Sequence, residues 1–126
     1  MICKGSQRAG GLDLALHLLN DRDNDHIEVH EIRGTAAQDL TGALLEIEAS
    51  MACTKAEQAF FSVQLSPPKG SEIEHDTAAY ERAAALIEKK YPDLANQPRV
   101  IVFHEKEGRR HGHACLLYTS PSPRDA

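Results

Sequence analysis

Aromatic residues are scarce in this chain, 5% of 126 positions with no tryptophan, which weakens any reading that needs a platform of rings for stacked bases. Cysteine is scarce too. Cys3, Cys53 and Cys115 are far apart, odd in number and form no CxxC pair, so neither a disulfide framework nor a cysteine zinc site is indicated. No run of about 18 apolar residues exists that would span a bilayer, and the opening MICKGSQRAGG lacks the apolar stretch of a signal peptide. A cytoplasmic protein without membrane insertion is therefore expected. Excess positive charge is also missing: the formal net charge is −5, which counts against nonspecific nucleic-acid binding, so any contact with DNA must use a local basic surface.

What the chain does contain is enough apolar residue, 41%, for one packed domain and too little for two. After a short apolar start, KGSQRAGG supplies the glycine, serine and basic side chains of a loop close to phosphate. Residues 12–19 follow a helical spacing through Leu12, Ala15, Leu18 and Leu19, and NDRDND closes that element. HIEVHEI alternates as a half-buried strand does. Thr35 is a candidate cap for a second helix over residues 35–54, with Leu40, Ala43, Leu44, Ile47 and Met51 on one face. AFFSVQLS reads as a strand with Phe61, Val63 and Leu65 on one side, ended by Pro67 and Pro68. Asp76 or Thr77 can cap a third helix to residue 90, stopped by Pro92. RVIVFHE, short and rich in β-branched residues, reads as a central strand buried on both faces, and a last strand begins near His111. This alternation fits a mainly antiparallel sheet with helices on one face, although periodicity alone does not separate it from a small parallel α/β fold.

From Cys115 the composition changes abruptly to CLLYTSPSPRDA. Composition alone would make this an unstructured terminus. The dodecapeptide also resembles, residue for residue, the translated adapter of transposase-based sequencing libraries. That resemblance implies that residues 115–126 are a non-native tail, that native sequence ends at Ala114, and that Tyr118 has no catalytic role.

The chemistry concentrates in His104-Glu-Lys-Glu-Gly-Arg-Arg-His111-Gly-His113. In a strand, alternate residues share a face, so His111 and His113 point the same way, about 6–7 Å apart. If residues 106–110 form a hairpin, His104 returns beside them. Three neutral imidazoles on adjacent strands leave coordination positions open, as a catalytic metal site requires. Ligand type alone leaves the metal open. A bare HxH is as readily a pair of surface histidines, and the third imidazole at the end of an apolar strand is what favours the metal.

This spacing resembles the three-histidine motif of relaxases, the HUH nucleases of plasmid mobilisation, in their MobA/VirD-type branch. KGSQRAGG is similar to that family's N-terminal basic-glycine loop, LALHLLN to the helix carrying its nucleophile, FSVQLSPPKG to its strand ending in a Ser-x-Pro-Pro-like turn, and VIVFHEKEGRRHGHA to its metal-binding strands. The similarity covers nearly all of residues 1–114. It implies a partial relaxase domain with a ferredoxin-like (RRM-like) sheet, truncated at its C-terminus. It further implies a divalent metal ion (Mg, Mn or Zn) on His104, His111 and His113, single-stranded DNA at a transfer origin as substrate, and relaxosome accessory and coupling proteins as partners in a bacterial cytoplasm. The activity implied is strand-specific nicking that leaves the protein covalently bound to the 5′-phosphate. A fragment of this kind is expected to be inactive by itself.

Two departures from the family pattern stand out. Most relatives carry a tyrosine nucleophile where LALHLLN has His17. Imidazole is a competent phosphoryl nucleophile and the MobV-type branch uses histidine, so His17 is the candidate, with a polar helix-boundary residue as the alternative. Tyr80 and Tyr91, on the third helix and at its end, suit core packing and capping better than catalysis. The acidic residue expected two positions after the first histidine is Lys106; Glu105 and Glu107 flank it as candidates for orienting an imidazole, or else as solvated charges. Arg109 and Arg110 are placed to clamp a phosphate, and Lys4, Gln7 and Arg8 to contact the DNA backbone. His26, His30 and His75 read as surface residues. The competing reading is a metal- or nucleic-acid-binding α/β module without catalysis.

Overall fold

The computed structural model describes residues 1–8, 10–20, 26–51 and 60–118, with the side chains of all of these except Gln7, Arg8 and Met51. The expected loop at 21–25, the end of the second helix near Thr54 and residues 119–126 lie outside the described residues.

The chain runs β1 (Ile2–Arg8), α1 (Gly11–Leu18), β2 (His26–Arg33), α2 (Leu40–Met51), β3 (Phe60–Ser66), α3 (Thr77–Lys90), a 3₁₀ turn (Pro92–Leu94), β4 (Arg99–Lys106) and β5 (Arg109–Leu117). Among the described residues the strands form one open sheet in the order β1-β3-β5-β4-β2. Every neighbouring pair is antiparallel, so the parallel α/β alternative does not apply. The architecture is α+β. No helix among the described residues is long and apolar enough to cross a membrane.

The helices cover both faces of the sheet, which corrects the expectation that they lie on one. Leu14, Ala15 and Leu18 of α1 and Leu40, Ala43, Leu44 and Ile47 of α2 pack with Phe60, Val100, Val102, Cys115 and Leu117. Tyr80 and Ala84 of α3 pack on the other side with Val63, Leu65, Ile101, Phe103, Ala114 and Leu116. The physical reason is written in β4. Its consecutive buried residues, Val100 to Phe103, alternate between faces, and each face then needs a cover. Full burial of each such aliphatic side chain is worth about 1.5–3 kcal/mol, so leaving either face open would forfeit much of a domain's small net stability.

KGSQRAGG is not a loop as far as Arg8. Pairing with β3, from Ile2 opposite Ser66 to Arg8 opposite Phe60, makes it the edge strand β1, because a ladder of backbone hydrogen bonds outweighs the weak strand propensity of Gly and Ser. The second helix starts at Leu40, not at Thr35. Asp39 supplies the cap by accepting the Gly42 N–H at 2.9 Å, while the Thr35 hydroxyl donates to the Ala37 carbonyl instead. The third helix begins as expected, with Asp76 accepting from the Ala78 N–H.

Of the residues set apart above as a foreign tail, 115–117 complete β5, and 115–118 pack into the two cores, Cys115 and Leu117 on one side and Leu116 and Tyr118 on the other. Whatever their origin, Cys-Leu-Leu carries the alternation of β5 onward, and β3 pairs with it from Phe60 opposite Leu117 to Leu65 opposite Gly112.

Beneath the end of α3, a polar network ties three elements together. Arg99, 8% exposed, reaches Glu31 on β2 and Glu88 on α3, each at 2.6 Å. Arg33 shares Glu88 at 2.6 Å. Burial pushes the Glu31 carboxyl upward, but the hydrogen bond and charge of Arg99 outweigh it and hold its pKa below the ordinary 4.5. A carboxyl depressed in the folded state contributes stability that is present above its unfolded pKa and lost as the pH falls through the folded one. Unfolding free energy from urea titration is therefore expected to decline below about pH 4.5, and Glu31→Gln should flatten that decline. An unchanged acid slope in Glu31→Gln would contradict it.

Candidate functional site

The hairpin between β4 and β5 turns through Glu107 and Gly108, both at positive φ (53° and 78°), as a two-residue type I′ connection requires. That turn sets the register Lys106 opposite Arg109 and, one step of the same face further, His104 opposite His111. Directly opposed residues in an antiparallel pair project to the same side. His113 follows His111 by two on that side. The rings of His104 and His113 are 4.5 Å apart, centroid to centroid. The expected gathering of the three imidazoles on one face is thus realised by a hairpin.

Helix α1 lies over this face. Its last turn exposes the Leu18 carbonyl, one of the acceptors that a helix C-terminus leaves without an intrahelical partner. Buried His104 fills that need: its Nε2–H donates to the Leu18 oxygen at 2.5 Å. This contact fixes the tautomer, with the lone pair on Nδ1, and pins α1 so that His17 stands edge-on to His113, 6.4 Å between centroids. Burial lowers the pKa of His104, outweighing the Leu18 hydrogen bond, with the charges of His17 and His111 adding to the lowering. Burial first, then the charge of Arg109, lowers that of His111. Both rings are held in the neutral form that can accept a proton or a cation.

Donor chemistry therefore suits a cation: neutral imidazoles, one of them with a buried Nδ1, that of His111, lacking a hydrogen-bond partner. The rings are neighbours without forming one coordination shell. Among the described residues no group of three or more His, Cys, Asp or Glu is arranged to hold a metal ion.

Gly112, between the two histidines, has a packing reason. A Cβ there would lie 2.8 Å from Cδ1 of Tyr80, so the glycine lets the Tyr80 ring press against the back of the strand that carries His111 and His113. The Tyr80 hydroxyl donates toward the carbonyls of Glu74 (2.7 Å) and Arg110 (3.1 Å). Burial pushes its pKa up to about 12. Tyr80 is a core residue, as expected, and Tyr91 caps the end of α3.

Several candidates fall elsewhere. Glu105 points away from the imidazoles, because its neighbour in the strand, His104, points toward them; its carboxylate sits between His75 (3.3 Å) and Arg110 (3.6 Å). Arg110 is likewise on the α3 face, stacked 4.9 Å from the Phe103 ring and bonded to Thr77, so it does not clamp a phosphate beside the histidines. Arg109 alternates onto the face of His111 and lies 3.8 Å from Glu74. Glu107 occupies the exposed turn. His30 stacks on Phe103 at 4.8 Å and binds Glu81, since a bulge between Val29 and Glu31 resets the alternation of β2. His75 bonds the Gly108 carbonyl. Gln7 and Arg8 belong to β1, and their side chains lie outside the described residues.

Lys4 does come to the site. It lines a polar cleft of about 140 Å³ together with Gly5, Ser6, His17, Leu18, Ser62, Gln64 and His113. The serines and Gln64 carry no signal in the linear sequence; only the strand pairing brings them beside the histidines. Compared with protein-family models, curated proteins and solved structures, the chain matches none.

Proposed function

We propose that the chain is the N-terminal part of a relaxase-type HUH nuclease that nicks single-stranded DNA at a transfer origin and becomes attached to the 5′-phosphate. The observation that carries this reading is the placement of His104, His111 and His113 on one sheet face under a helix that presents His17 to His113. A divalent cation (Mg, Mn or Zn) would supply Lewis-acid stabilisation of phosphoryl oxygens; His104, His111 and His113 would be its ligands once drawn together, since among the described residues they do not form one shell by themselves. His17 is the nucleophile in this scheme. Its ring nitrogen forms the P–N bond as the bond to the 3′-oxygen breaks, and that oxygen leaves as the free 3′-hydroxyl after taking a proton. Covalent attachment conserves the phosphoryl bond for later rejoining, in the company of relaxosome proteins.

The intact enzyme, incubated with single-stranded origin DNA and Mn or Mg, is expected to give a protein–DNA adduct stable to denaturing electrophoresis. His17→Ala should reduce the adduct to background and Tyr80→Phe should not. An adduct that survives in His17→Ala removes His17 from the mechanism; no adduct in the unaltered enzyme defeats the nuclease reading. A second reading, a non-catalytic nucleic-acid-binding module, is favoured by the His104 hydrogen bond to Leu18, which gives that histidine a purely structural task. Oligonucleotide binding with no adduct is its signature.

A further inference from the structure

The cleft beside His17 and His113 has an arrangement that the histidine reading does not use. Lys4 on β1 pairs with Gln64 on β3, and Gln64 pairs with His113 on β5. The three side chains therefore form one row across the sheet, on the face covered by α1, each about 5 Å from the next. A second row lies alongside: Ser6 opposite Ser62, and Ser62 opposite Cys115. α1 closes the top with His17 and Leu18. The walls are thus an ammonium, two hydroxyls, an amide and two imidazoles. Among the described residues none of the lining groups is a carboxylate, in a chain whose formal net charge is −5.

That composition is selective. Every polar lining side chain can donate a hydrogen bond, counting each imidazole through its N–H, and the one fixed charge is positive. An oxyanion is matched on all sides. The volume, about 140 Å³, admits one phosphoryl group with part of its sugar and excludes a stacked base pair.

We infer that Lys4, Ser6 and Gln64 form a phosphodiester-binding subsite, which seats a backbone phosphate of single-stranded nucleic acid next to the His17–His113 pair. The inference rests on the reading of the chain as one that acts on single-stranded DNA, and it adds the residues that would hold the strand in register. Lys4 supplies the charge-assisted contact. Gln64, at the middle of the row, donates its amide N–H to the same phosphate and uses its carbonyl to orient its neighbours.

The test uses the whole 126-residue chain with a fluorescent oligothymidylate, read by anisotropy over a range of salt, and with inorganic phosphate as competitor. Lys4→Gln is expected to weaken oligothymidylate binding about tenfold, the factor of one charge-assisted hydrogen bond, and to reduce the salt slope by roughly 0.7. Gln64→Glu, which sets a carboxylate in the cleft, should weaken it at least as much. Both side chains are exposed, and unchanged thermal midpoints will show that the variants fold. Displacement of the oligonucleotide by millimolar phosphate supports an oxyanion seat; phosphate binding without oligonucleotide binding overturns the nucleic-acid assignment. Affinities within twofold of the unaltered chain in both variants overturn the subsite. Adduct formation by the intact enzyme that is insensitive to Lys4→Gln and Gln64→Glu would leave the nuclease reading standing and this inference refuted. Oligonucleotide binding that these variants weaken, with no adduct, would do the reverse.

Discussion

Replacing Arg99 with methionine is expected to lower the unfolding free energy by roughly 3–5 kcal/mol, the cost of removing one partner from a buried ion pair. The guanidinium is buried between β2, β4 and α3, with Glu31 and Glu88 each at 2.6 Å. Methionine fills much of the same space but takes the shared guanidinium from both carboxylates, Glu88 keeping Arg33 and the Asn96 N–H. Glu31 keeps some contact with water, which places the effect toward the lower end of that range. The origin of the loss can be isolated. Replacing Glu31 and Glu88 by glutamine in the Arg99→Met background removes the stranded charges and should recover part of the stability, since much of the loss is the cost of leaving uncompensated charges buried. Urea unfolding followed by circular dichroism measures both. A loss below about 1 kcal/mol in Arg99→Met, the level of an exposed ion pair, would mean that the network does not hold α3 to the sheet.

The second large effect belongs to Tyr80. Tyr80→Ala is expected to cost about 3–5 kcal/mol as a large-to-small change in a packed core, and Tyr80→Phe about 1–3 kcal/mol, because the Glu74 and Arg110 carbonyls lose their shared donor. Gly112→Ala should cost about 1–3 kcal/mol by overpacking, since its new Cβ would meet the Tyr80 ring. The two positions touch, so the effects are not expected to add. In the Tyr80→Ala background the room vacated by the ring accepts the Cβ, and the further cost of Gly112→Ala should fall close to zero. Strict additivity in this double-mutant cycle would show that the glycine is there for another reason. The cycle also probes the site, because Gly112 sits between His111 and His113. Histidine-ring NMR shifts that move in Gly112→Ala and return in the double variant would place Tyr80 as the support of that strand.

How far the sequence reaches can be seen in neighbouring residues of one hairpin. The two-residue period that puts His111 and His113 on one face also puts Glu105 and Arg110 on the other, so their absence from the histidine face was already implicit in the alternation. The unbroken apolar run of β4 signalled a strand buried on both sides, yet the helices were expected on one face, because the helices themselves do not announce which face they take. The I′ turn at Glu107 and Gly108 is known from their positive φ, whereas local chemistry sufficed for a cap at Asp76 or Thr77, where the structure uses Asp76. At Thr35 it misled, because a serviceable cap several residues early gives no sign that Asp39 is better placed for the first turn.

The linear chain by itself determined the periodicities and the common face of His111 and His113, with His104 joining them on condition of a hairpin, because each of these depends on residues close together in sequence. Only the tertiary structure decided that β1 pairs with β3 and β3 with β5, and so that Lys4, Gln64 and His113 share a row. Tertiary packing likewise decided that the Leu18 carbonyl would meet His104 and thereby set His17 beside His113. These contacts join segments far apart along the chain. Their partners are selected by burial of two apolar faces and by the pairing of backbone donors across the whole sheet, and no local pattern records that selection.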